Sequence, residues 1–214
     1  MLSDFIQPGL ILIIFGIFSL ILPAVIRKAA ILAGPLLTLA AVIVTDCDKL
    51  TFMFGLIFAV ISVIGALYNF HIKDKYELAA EAVYAGSSIS VVFASHWIGM
   101  LIFWELMAVA KKAGFRYLLV HMLGGNFLLA GIMMKVYSGS TMIESLTGNI
   151  DAAYWLILAG VAVNAAIPPL NAWIADAYPE STMGGTVYMG SFTTKVGVFC
   201  LIKLFAGTHL LLYF

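Results

Sequence analysis

Predominantly apolar runs of about twenty residues, the length that crosses a bilayer as a helix, follow one another along this 214-residue chain with only short polar breaks. Eight can be placed: Pro8–Ala24, Ala29–Thr45, Leu50–Phe70, Tyr76–Ser95, Trp97–Ala113, Phe115–Tyr137, Ala152–Trp173 and Gly185–Phe205. Inside a bilayer every backbone polar group must be paired internally, and runs of this length achieve that as helices. Only 10% of residues are charged and 63% are hydrophobic, whereas a soluble domain carries about a quarter charged residues. The sequence therefore predicts an all-α, polytopic membrane protein with about eight transmembrane helices.

Several classes of function are excluded. The formal net charge is zero, so no basic face points to nucleic acid. Cys47 and Cys200 offer neither a disulfide framework nor metal-site spacing, and no nucleotide, flavin or metal motif is present, so no cofactor is expected. The first run begins at Pro8 after Asp4, without a basic leader or a small-residue cleavage site. It is expected to stay as the first helix.

Basic residues orient the spans. The connections after the first, third and fifth carry Arg27, Lys28, Lys73, Lys75, Lys111, Lys112 and Arg116, against Lys49, Lys135 and Lys203 on the other side. That asymmetry places the odd-numbered connections in the cytoplasm and both termini outside a cell (inner or cytoplasmic) membrane.

The seventh and eighth spans are unusual. An apolar helix meets Pro168 and Pro169, a polar turn from Asn171 to Ser181 follows, and the next helix carries Lys195 near its middle beside Thr193 and Thr194. Irregular backbone at membrane depth is tolerated only against protein or a watery cavity. A lysine near the bilayer centre costs about 2.5–3.5 kcal/mol on insertion scales, so it faces a partner or a cavity. A broken seventh helix beside a buried cation reads as part of an ion pathway.

Glu105 lies mid-span in WIGMLIFWELMAVA. Such a carboxyl is either a neutral acid or half of an ion pair, and Lys195 is its natural candidate partner. Glu77 and Glu81, one helical turn apart, read either as an acidic pair at headgroup level or as an entrance feeding protons inward. His121 reads equally as a proton relay or a hydrogen-bonded packing residue. Gly124, Gly125 and Gly131 suit close helix contact, and Trp97, Trp104, Trp155 and Trp173 suit interfacial or packing roles.

Three motifs together carry a family resemblance: FWELMA around Glu105, RYLLVHMLGG from Arg116, and IPPLNAWIADAYPE running into GSFTTKVGVF. From about the third span onward the chain is similar to the antiporter-like subunits of respiratory complex I, Mrp sodium/proton antiporters and energy-converting membrane-bound hydrogenases. The resemblance implies an N-terminal three-helix segment, residues 1–75, and a five-helix antiporter-like repeat, residues 76–214, forming a half-channel. It matches Glu105 to the family's fifth-helix glutamate, Lys195 to the eighth-helix lysine that links half-channels, and Pro168–Pro169 to the seventh-helix break.

Two departures stand out. The family's seventh-helix pore lysine falls at Asn164, and Asn171 stands where many members carry histidine; an amide does not exchange a proton near neutral pH. The resemblance thus implies a proton or sodium half-channel running through Glu105 and Lys195, in which the Asn164 carbonyl suits sodium. The alternative is an antiporter-like scaffold that has lost transport. Either way the chain is not catalytic alone. It is expected to work inside a redox-driven oxidoreductase or a cation/proton antiporter, with other membrane subunits, a chain supplying the C-terminal repeat, protons or sodium, and the lipid bilayer as its partners.

Overall fold

In the computed structural model, which describes residues 7–109 and 115–207, the chain is all-helical. The helices are α1 (Pro8–Ser19), α2 (Ala24–Val44), α3 (Lys49–Tyr68), α4 (Lys75–Val92), α5 (Trp97–Val109), α6 (Phe115–Tyr137), α7 (Ala152–Asn164), α8 (Ala172–Glu180) and α9 (Met183–Phe205). Lys111 and Lys112, expected to set the topology, lie outside the described residues, as does the side chain of Arg116. Among the described residues four stretches are long and apolar enough to cross a membrane: Ala24–Val44, Lys49–His71, Tyr117–Tyr137 and Met183–Phe205. Pro8–Ser19, Trp97–Ala108 and Ala152–Asn164 are shorter apolar helices.

Local chemistry sets the helix starts. Pro8 at the first position supplies a helical φ where its missing N–H costs nothing. Asp48, Asp74, Asp151 and Thr182 cap α3, α4, α7 and α9 by accepting backbone N–H groups of the first turn. Asp48 accepts from both Leu50 and Thr51 at 3.1 Å.

The helices are tied at both ends. At one end Trp97 N–H donates to the Thr141 carbonyl at 3.1 Å and Ile143 N–H to the Ser95 carbonyl at 2.8 Å. Lys203 pairs there with Asp48 across 155 residues of sequence. At the other end Lys75 donates to the Leu20 carbonyl at 3.3 Å.

Small residues let the backbones meet. A β-carbon at Gly86 of α4 would sit 2.6 Å from the Gly9 carbonyl oxygen of α1, and one at Gly160 of α7 would sit 2.7 Å from that of Gly124 in α6. Both distances exclude any larger residue. The core that results is aromatic where α3, α4 and α9 converge. Phe192 packs on Phe58 with ring centroids 5.0 Å apart, on Tyr84 at 5.9 Å and on Tyr188 at 5.8 Å.

Two boundaries shift in the region 152–181. The span placed over Ala152–Trp173, with its break at Pro168 and Pro169, is helical from Ala152 only as far as Asn164. Pro168 explains the position, because a helical proline collides with the carbonyl four residues back, which here belongs to Asn164. Where a polar turn over Asn171–Ser181 was expected, residues Ala172–Glu180 form a helix, α8. Its Trp173 and Ala177, one turn apart, are buried on a single face.

Candidate functional site

The interruption between α7 and α8 organises the site. Ala166 adopts a φ of 57°, the left-handed region that turns the chain out of a helix at some steric cost. Pro168, Pro169 and Asn171 in this stretch are exposed. Trp173 then reaches back from α8, its indole Nε1–H donating to the Val163 carbonyl at 3.0 Å. That bond gives a second donor to a carbonyl at the end of α7 that also accepts from the Ala166 N–H at 3.2 Å.

Asn164, the last residue of α7, is 1% exposed, and neither its Oδ1 nor its Nδ2 has a hydrogen-bond partner. A buried amide left in this condition costs about 1–3 kcal/mol, and water or an ion is the usual remedy. Gly197 of α9 lies against the next residue: a β-carbon there would stand 2.5 Å from the Ala165 backbone nitrogen and 2.7 Å from its Cα. The end of α7 is thereby pressed onto α9 within two residues of Lys195.

Lys195 is exposed on the chain by itself, and its Nζ donates to the Gly190 carbonyl at 2.5 Å, five residues earlier on the same helix. Glu105 of α5 is also exposed and turns its carboxylate toward Gly125 of α6, where a β-carbon would collide with Oε1 and come within 3.3 Å of Cδ. The two residues therefore make no direct ion pair in the chain by itself, one of the arrangements the sequence left open. One is drawn to a carbonyl of its own helix and the other sits over a glycine notch on α6.

His121 is 5% exposed. Its Nδ1 lies 3.1 Å from the Tyr117 carbonyl, its ring stacks on Tyr117 with centroids 3.8 Å apart, and Trp173 meets it edge-on at 4.6 Å. The helix break and His121 thus share one aromatic cluster. Glu81 is 7% exposed within the protein, and its Oε2 accepts from Asn69 Nδ2 at 2.6 Å. Glu77, a turn earlier, is half-buried.

Sequence reasoning missed Asn69 and the contact between Tyr84 and Thr193, whose hydroxyls lie 2.5 Å apart on α4 and α9. The only sequence signal for Tyr84 is its position three residues after Glu81, on the same helix face. At the opposite end of the bundle, Thr45–Asp48, Ser95, Met142 and Lys203 help line a cavity of about 570 Å³. Partial burial there would raise the Asp48 carboxyl, but Lys203 and the Thr51 N–H and hydroxyl outweigh it and hold the group down at about 2.

The model of the NADH:quinone oxidoreductase/Mrp antiporter transmembrane family matches residues 93–212, more than half of the chain. The chain belongs to this family. Among curated members, a Na(+)/H(+) antiporter subunit of Alkalihalophilus pseudofirmus is 24% identical over 194 residues, covering 75% of this chain and 24% of that protein. The NAD(P)H-quinone oxidoreductase chain 4 1 of Synechococcus elongatus is 25% identical over 160 residues, covering 64% of this chain and 30% of that one. The chain thus spans a quarter to a third of the length of these relatives.

Solved structures show the same antiporter-family fold. A chain of Thermus thermophilus respiratory complex I with bound aureothin superposes with a TM-score of 0.78 at 19% identity, covering 92% of this chain and 53% of that one. A chain of the archaeal membrane-bound sulfane sulfur reductase gives 0.74 at 18% identity, covering 94% and 53%. The Mrp complex from Dietzia sp. gives 0.68 at 16%, covering 99% and 47%. This antiporter-family chain is therefore a membrane protein whose fold occurs in large respiratory and antiporter complexes.

Proposed function

We propose that this protein is a membrane subunit of a multisubunit ion-translocating complex of the complex I, Mrp or membrane-bound hydrogenase kind, and that it provides a half-channel through Glu105 and Lys195. The observation that carries the reading is the exposure of these two ionisable side chains on apolar helices. Lipid tails tolerate neither a carboxylate nor an ammonium, so each faces a further protein surface or an aqueous path. That surface is the C-terminal antiporter repeat of the complex, on whichever polypeptide carries it.

In this reading residues 1–75 pack beside a five-helix repeat, residues 76–214, and the chain crosses a cell membrane eight times with α7 and α8 as one interrupted crossing. The acidic Glu77 and Glu81 form the cytoplasmic entrance, and His121 and Asn164 line the path within. Protons are the favoured ion, because Glu105 and Lys195 both exchange them. The Asn164 carbonyl suits sodium, and sodium-dependent activity surviving Asn164→Leu counts against Asn164 as its ligand. The driving chemistry, redox or antiport, resides in partner subunits.

The test is ion pumping by the intact complex in vesicles, comparing wild type with Glu105→Ala and Lys195→Ala while assembly is followed in parallel. Collapse of pumping in an assembled complex supports the half-channel. The second reading, a scaffold that keeps the fold but not the transport, is favoured by Asn164 standing where the family's lysine is expected; unchanged pumping with reduced stability would establish it.

A further inference from the structure

Where α3 gives way to α4, a carboxyl and an amide are buried together. Asn69, 1% exposed, opens the short turn Asn69–His71, and Glu81 lies in the second turn of α4. Asn69 Nδ2 donates to Glu81 Oε2 at 2.6 Å. The two remaining oxygens, Glu81 Oε1 and Asn69 Oδ1, are buried with no hydrogen-bond partner.

Both oxygens turn toward the first turn of α9. A β-carbon at Gly184 would stand 2.7 Å from Asn69 Nδ2 and 2.9 Å from Asn69 Oδ1, and would collide with Glu81 Oε1. Any residue other than glycine at this position would fill the space onto which the pair opens.

Among the described residues no cation compensates the carboxyl. The ionisable groups that act on it are Glu77 on its own helix and Tyr188 on α9, neither of them basic. Helix α1, which packs along α4, has no ionisable residue, and Glu105 of α5 faces Gly125 on α6 instead. A carboxylate shielded from water without a cation, beside a second acceptor without a donor, is short of one hydrogen atom.

A single proton corrects both deficits. Bound to Glu81 Oε1, it converts –COO⁻ to –COOH and supplies the donor that Asn69 Oδ1 lacks, while Asn69 Nδ2–H continues to donate to Oε2. The result is a cyclic acid–amide pair. A sodium ion would need several more oxygen ligands than these two.

We propose that Asn69 and Glu81 form a single-proton binding site, closed over by Gly184. The proposal deepens, and for its place on the ion path rests on, the entrance role given to Glu81 above: it names the ion held there as a proton and Asn69 as its second partner. Tyr84, in the next turn of α4, with its contact to Thr193 on α9, is where such a proton next meets hydroxyl groups on its way inward.

The test is infrared spectroscopy of the full chain in its complex, reading the carboxylic-acid C=O band of wild type minus Glu81→Gln, a substitution that preserves shape. The expected result is an acid band at neutral pH that is absent in Glu81→Gln, bleaches as pH is raised, and moves to higher frequency in Asn69→Leu or Gly184→Ala. A Glu81 ionised at neutral pH overturns the proposal, as does a band that sodium removes at constant pH, or one that Asn69→Leu leaves in place. Should Glu81→Gln fail to assemble, Glu81→Asp, which keeps a carboxyl but moves it and its band, supplies the subtraction that assigns the band in the pH and sodium arms. If the band behaves as expected while Glu81→Gln pumps normally, the proton site stands and the entrance role falls.

Discussion

Trp173 donates its indole N–H to the carbonyl of Val163 at 3.0 Å, bridging the non-helical residues between α7 and α8. The bond joins the two sides of an opening whose own backbone cannot continue the helical ladder. Trp173 is 2% exposed and packs on Tyr117 and His121, so the same residue holds the aromatic cluster in place. Trp173→Phe keeps an aromatic ring and deletes the donor. The Val163 carbonyl keeps its bond from the Ala166 N–H at 3.2 Å, so the expected loss is the net worth of one hydrogen bond, about 0.5–1.5 kcal/mol, read as a lower thermal midpoint of the purified complex.

Two glycine substitutions separate stability from function. At Gly197 an added methyl meets the backbone of Ala165, which cannot yield without moving the end of α7. Gly197→Ala is expected to reduce assembly. At Gly125 the added methyl meets only the far end of the Glu105 side chain, which swings aside at little cost. Gly125→Ala is expected to assemble normally yet pump poorly, because the carboxylate has left its notch. Assembly on native gels and pumping in vesicles give the two readouts.

Asn164 carries two buried polar atoms with no partner. If they serve no ion or water, Asn164→Leu removes a burden and raises stability by about 1 kcal/mol or more. On the half-channel account the same substitution dries the path, so pumping falls severalfold while the thermal midpoint holds or rises. A stabilised variant that pumps like wild type points to the scaffold.

Acid sensitivity is expected from the pair of Asp48 and Lys203. Asp48 is held at about 2 in the folded chain, below the ordinary aspartate value of about 3.9. A group depressed on folding adds stability that is fully present above its unfolded value and lost as pH falls toward the folded one. The contribution therefore fades between about pH 4 and pH 2. In Lys203→Gln the group titrates nearer its ordinary value. The difference in thermal midpoint between that variant and wild type should shrink as pH is lowered through this window, and Asp48→Asn should abolish the pH dependence of the difference.

Helix existence is largely legible in the sequence because apolar runs bounded by Pro8, Asp48, Asp74, Asp151 and Thr182 state their own starts. The extent of the helix from Ala152 is misread because hydropathy continues past Asn164, while the proline restriction acts four residues upstream of Pro168. Helix α8 is hidden by its polar residues, although Trp173 and Ala177 mark a buried face. Glu105 and Lys195 stand out as lone charges in apolar sequence, but their orientations depend on Gly125 and Gly190, which sequence spacing does not pair with them. Asn69 is invisible because its partner, Glu81, lies a turn and most of two helical turns away, and only the packing of α9 through Gly184 gives the pair its meaning.

The most direct test of the central claim replaces Lys195 with arginine and measures the pH gradient formed per catalytic turnover of the assembled complex in vesicles. Arginine retains the positive charge and does not release its proton. If Lys195 passes protons along the path, Lys195→Arg assembles fully and the gradient collapses as it does in Lys195→Ala. A wild-type gradient in the arginine variant would contradict the account, leaving Lys195 as a fixed charge and the ion path in another part of the complex.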